Sequence, residues 1–127
     1  GKIVICDRFT HSTIAYQGHG RHMDLCIIKM VNLQSTNSLK PDLTFLIDVP
    51  TEVASRRNAG KEKDVWEAEE FHFHERVRKG YLEQAKDPKN PLITIDGSST
   101  PNVISNEIWT HVESLITHLN ITPTFDR

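Results

Sequence analysis

Three short apolar runs, each with an aspartate at its carboxyl end, set the architecture open to this chain: Ile3-Val4-Ile5-Cys6 before Asp7, Leu43 to Val49 around Asp48, and Leu92 to Ile95 before Asp96. They are short and β-branched, which fits strands covered on both faces better than amphipathic helices. Helical periodicity fills the intervals. Asp24 is placed to cap a helix running to about Gln34 with Leu25, Ile28, Met30 and Val31 inward. Pro50-Thr51 opens a second helix. Residues 67 to 86 carry Ala68, Phe71, His74, Val77, Tyr81 and Ala85 at three- and four-residue steps, and Pro101 leads a last helix with Ile104, Ile108, Val112, Leu115 and Leu119 inward. Ser12 to His19 adds one or two helical turns, stopped by Gly18-His19-Gly20. Strands alternating with helices define an α/β fold: a parallel sheet with helices on both faces.

In such sheets ligands bind at the carboxyl ends of the strands. That edge is where Asp7-Arg8 follows the first run and where Asp48 and Asp96 end the others. Asp96 also suits a turn. Composition narrows the partner. The 127 residues make one domain, and a net charge of −2 leaves no basic footprint for nucleic acid or an anionic membrane. No apolar run approaches the ~20 residues of a membrane span. Cys6, in an expected buried strand, and Cys26, in an expected helix, make neither a disulfide framework nor a zinc spacing, so a cytoplasmic protein is expected.

Three blocks in order carry a family resemblance: Asp7-Arg8-Phe9 with Ser12-Thr13 and Ala15-Tyr16-Gln17-Gly18, then Lys40 to Val49, then Phe71 to Leu82. They resemble the second half of bacterial-type thymidylate kinases. The resemblance implies a P-loop nucleoside-monophosphate-kinase fold with a five-stranded parallel sheet, and transfer of the ATP γ-phosphoryl to dTMP, giving dTDP and ADP, with Mg²⁺. It also implies a homodimer formed through helices; the faces around Leu25 to Leu33 and Phe71 to Tyr81 are candidates. No Gly-x-x-x-x-Gly-Lys-Ser/Thr loop occurs in the sequence. Residues 1–127 are therefore expected to be the C-terminal portion of a single nucleotide-kinase domain, with ATP and Mg²⁺ held mainly by an N-terminal half. Such a portion alone is expected to be inactive. Its first two strands would flank a missing one, each unpaired buried ladder group costing roughly 1–3 kcal/mol. The alternative is a non-catalytic relic that binds a nucleotide or a partner.

The resemblance assigns roles that suit the residue types. Phosphoryl transfer needs cations and fixed positions more than covalent chemistry. Arg8, whose planar fork can take two phosphate oxygens, would clamp the dTMP phosphate, and Asp7 would orient Arg8 or a water on Mg²⁺. Thr13 and Gln17, four residues apart, share a helical face and can both reach a base edge, while Tyr16 would block a ribose 2′-OH. Ser12 reads as a local backbone cap. Arg56 and Arg57 precede a charged lid over about residues 56–66 and would close on ATP, Arg57 as the catalytic arginine; favourable interaction with a helix C-terminus is the plainer reading of that pair. Two positions depart from the family: Phe9 where Tyr or His is common, and Val65 where Arg is usual. His72 and His74, two apart, lie on different faces of their helix, so no metal is expected there. Glu75, Arg76, Arg78 and Lys79 read as a solvated face.

Overall fold

Asp24 does what its position predicts. Its carboxylate accepts from the backbone N–H groups of Cys26 (2.7 Å) and Ile27 (3.2 Å), starting helix α2 at Leu25–Ser35. The computed structural model describes residues 3–58, 68–88 and 92–121. Most of the lid segment, with Val65, and the tail from Thr122 lie outside the described residues. The elements run in the order α1 (Thr10–Thr13), a π-helical segment (Ile14–Gly20), α2, β1 (Phe45–Asp48), α3 (Thr51–Asn58), α4 (Ala68–Ala85), β2 (Ile93–Asp96) and α5 (Pro101–His118).

The two strands pair in parallel, Phe45 with Ile93 through Asp48 with Asp96, so both aspartates stand at one edge. The chain is thus α/β, with a small parallel sheet and helices. Ile95, Leu92, Val77, Ile28 and Ala15 are the buried apolar residues among those described. Gly97 follows β2 so closely against Ile47 and Val49 that a β-carbon there has no room.

Three expectations are corrected. Ile3 to Cys6 is not a strand: Val4 is 83% and Ile5 93% exposed, and no described strand pairs with them. Its β-branched composition suits a strand, but a strand needs a ladder partner. Cys6 is exposed with it. Second, the helix after Ser12 runs through Gly18 and on to Gly20 as a π-helix, with the Arg21 N–H donating to the Tyr16 carbonyl at 3.0 Å. Its glycines serve close approach: Gly18 lies against Leu25, and Gly20 faces Phe73 and Val77. Third, Met30 and Val31 point outward at 59% and 57% exposure. At about 100° per residue, the inner side of α2 is the one shared by Leu25, Ile28 and Asn32.

Helix α4 keeps its expected inner stripe, with Phe71, His74, Tyr81 and Ala85 half-buried and Val77 buried; the Ala68 side chain lies outside the description. The stripe is wider than the periodicity implies, because α4 packs on the π-helical segment along one side and reaches β1 along another. Gly80 lets it come close: a β-carbon there would sit 2.6 Å from the His19 ring.

Candidate functional site

The polar stretch after the first apolar run folds into a tight group. Arg8 has φ 65°, in the left-handed region that costs a non-glycine residue of order 1–3 kcal/mol. This turn brings its guanidinium carbon to 5.3 Å from the centre of the Tyr16 ring, a cation–π contact. Tyr16 is itself gripped edge-on by two rings of α4, Phe73 at 6.0 Å and Tyr81 at 6.5 Å. The Tyr81 hydroxyl donates to Ser12 Oγ at 2.7 Å. Burial pushes the Tyr81 phenol above its ordinary range, so it is the protonated donor at neutral pH.

The structure therefore brings Arg8 onto Tyr16, with Gln17 half-buried in the π-helical segment and Asp7 and Thr13 exposed on the same short stretch. Ser12 differs from its expected role as a backbone cap: its side chain receives Tyr81. α1 has no side-chain cap, and its start at Phe9 is closed by the Ser12 N–H on the Phe9 carbonyl. Beneath the group, Asn32 donates to the Thr10 carbonyl and Gln84 to the His11 carbonyl, so α2 and α4 both hold α1 in place.

The arginines of α4 are not a solvated face. Arg76 donates to the Gly20 carbonyl at 3.1 Å, fixing the end of the π-helical segment. Arg78 forms a fork with both oxygens of Asp48, each 2.8 Å away, and that bond raises its pKa further. The signal for Arg78 was Asp48 itself, a carboxylate at a strand end with no other assigned role. His72 and His74 pair with Glu75 and Glu70 respectively.

Arg56 and Arg57 lie on α3, and the contacts of Arg57 are with the β2–α5 turn. Arg57 donates to the carbonyls of Gly97 (2.9 Å) and Ser98 (3.2 Å), and Arg56 is exposed on the same helix. Asp96 accepts from the Ser98 N–H at 2.8 Å, which is the turn its sequence allows. The β2–α5 turn is thus held by Asp96 from within and by Arg57 from α3. Among the described residues no three acidic, histidine or cysteine groups converge as a metal site, and no helix is long and apolar enough to cross a membrane.

The family model for thymidylate kinase matches residues 1–108. The chain belongs to the thymidylate kinase family. Among curated thymidylate kinases, that of Geotalea daltonii is 43% identical over 105 residues, covering 76% of this chain and 49% of the relative. That of Desulforudis audaxviator is 39% identical over 125 residues, 98% of this chain and 55% of the relative. The Fervidobacterium nodosum thymidylate kinase is 44% identical over 108 residues, 85% and 54% of the two chains. The chain thus spans about half the length of the curated relatives it matches. The matched range includes every residue of the Arg8–Tyr16–Tyr81 group as well as Arg56 and Arg57.

Proposed function

We propose that the protein containing this chain phosphorylates dTMP with ATP, and that residues 7–17 form its monophosphate pocket. The observation that carries this is the guanidinium of Arg8 laid over Tyr16 at the start of a helix bearing Thr13 and Gln17. A forked cation, an aromatic wall and two amide or hydroxyl groups on one short stretch are what a phosphate, a deoxyribose and a base edge require together. Arg8 holds the acceptor phosphate, Tyr16 stands against the sugar, and Thr13 and Gln17 read the base.

Asp7 is the one carboxylate of that stretch. This fits Mg²⁺, which takes one or two carboxylates and leaves its other positions to phosphate oxygens and water. Asp7 would orient Arg8 or a water on Mg²⁺, which would be held mainly by the N-terminal half and would supply charge neutralisation for the phosphates. We assign Arg57 to the ATP side of the reaction; its place beside the β2–α5 turn, with the exposed Arg56 on the same helix, supports this. The five-stranded sheet of the family would set the P-loop strand beside β1, where Ile47 is 49% exposed. This reading makes the chain the C-terminal portion of a cytoplasmic kinase domain. Ile27, Met30, Val31 and Leu33, each more than half exposed on α2, offer the face for a homodimer.

The test is a coupled assay on the protein as its source cell makes it. ADP release should depend on dTMP, and Arg8→Ala should lower kcat/KM for dTMP on the order of 100-fold, with Arg8→Lys recovering only part because an ammonium cannot form the fork. Turnover without dependence on dTMP would overturn the reading.

A further inference from the structure

The phosphate grip is built from two parts of the chain, and the second part lies on a helix with no assigned contact to the ligand. Arg8 sits in a strained conformation on an exposed turn, and nothing in its own stretch fixes the ring beneath it. That ring, Tyr16, is located by α4: Phe73 and Tyr81 meet it edge-on, at interplanar angles of 65° and 83°. Tyr81 in turn is anchored, because its hydroxyl closes on Ser12, one turn from Arg8 along the same stretch. Ser12, Tyr81, Tyr16 and Arg8 thus make a closed circuit, entered from a helix 69 residues downstream of Ser12. The circuit sits where the helices come closest, since Gly20 and Gly80 leave no space for a β-carbon against Phe73, Val77 and His19.

We propose that Tyr81 is a positioning residue for the monophosphate pocket: its hydrogen bond to Ser12 and its ring edge against Tyr16 hold the platform on which Arg8 presents its guanidinium. This rests on the reading of residues 7–17 as a dTMP pocket. Tyr81 touches no ligand; it acts through Tyr16 and Arg8. Its effect therefore falls most heavily on ligands that carry a phosphate, since a ligand lacking one loses only part of what Tyr16 gives the sugar and nothing that Arg8 gives a phosphate. A tyrosine that merely packs the core would weaken both kinds of ligand alike.

The experiment measures dissociation constants for dTMP and for thymidine, on the protein as its source cell makes it, for wild type, Tyr81→Phe, Ser12→Ala, their double variant and Ser12→Thr. Tyr81→Phe keeps the ring and removes one hydroxyl; Ser12→Ala removes the same bond from the other side, so the result does not hang on one variant folding. Each single variant should weaken dTMP about 3- to 10-fold, the range one hydrogen bond supports, with thymidine changed less than about 2-fold. The double variant should be no worse than either single one, and Ser12→Thr, which keeps the acceptor, should bind as wild type does. Equal losses for dTMP and thymidine, additive losses in the double variant, or unchanged dTMP binding in both single variants would overturn the proposal. If wild type binds neither ligand, the pocket reading falls first and takes the proposal with it; that outcome is distinct because it appears before any substitution.

Discussion

His11 illustrates how one residue of α1 couples the stability of the fold to pH. Its Nδ1 is buried and unbonded, and burial holds its pKa below the ordinary 6.5. The folded form therefore resists protonation while the unfolded chain takes up a proton as pH falls through about 6.5. Stability is full above that value and declines below it, until the folded imidazole also charges. The loss of stability between about pH 7.5 and 5.5, read from urea midpoints, should be smaller in His11→Gln than in wild type. Equal losses would show that His11 plays no part. At the same scale, Asp7-Arg8 stood out in sequence as a carboxylate and a forked cation side by side after an apolar run, while the left-handed turn that lays Arg8 over Tyr16 did not. Arg76 and Arg78 were not legible: helical periodicity marks the side away from one neighbour, and α4 has two.

At the scale of elements, α4 is held to the sheet by Arg78 and to the π-helical segment by Gly20 and Gly80. The Arg78 fork on Asp48 is partly open to water, with side-chain exposures of 36% and 18%, so screening limits its worth. Arg78→Ala should cost about 1–2 kcal/mol by urea unfolding, at the lower end of what charged hydrogen bonds give, and Arg78→Lys should recover little of it. Because the bond raises an already high pKa, the guanidinium stays charged until strongly alkaline pH, so this contribution should be flat between about pH 7.5 and 5.5, where the His11 contribution changes. Gly80→Ala places a β-carbon within 2.7 Å of three His19 atoms and should destabilise by about 1–3 kcal/mol, measured the same way. No change would mean that the seam between α4 and the π-helical segment yields at little cost. Local chemistry made α2, α4 and α5 readable: a capping aspartate, a repeating apolar stripe and an N-terminal proline each act over a single turn or helix. The run Ile3 to Cys6 was not readable in that way, since strand formation depends on a neighbour the run itself does not contain. Nor was the π-helical segment, where Gly18 and Gly20 look like a stop in sequence and prove to be contact points.

At the scale of the whole molecule, the buried apolar residues among those described coexist with exposed Ile3, Val4, Ile5 and Ile47, and the Arg8–Tyr16 group and the Arg57 contacts are carried by different elements. α4 ties the Arg8–Tyr16 group to β1, while α3 and the β2–α5 turn share Arg57. The parallel register of β1 and β2 sets Asp48 and Asp96 at one edge, where Asp48 is bound by Arg78 of α4 and Asp96 holds the β2–α5 turn. The central claim is that Arg8, laid over Tyr16, is the phosphate grip of a dTMP pocket. It is tested most directly by calorimetric titration of wild type and Arg8→Ala with dTMP. The account predicts saturable binding to wild type and a loss of about 10- to 100-fold in Arg8→Ala, as expected for removing charge-assisted hydrogen bonds to a phosphate. Wild-type affinity in Arg8→Ala, or no binding of dTMP to the folded wild-type protein, would contradict it.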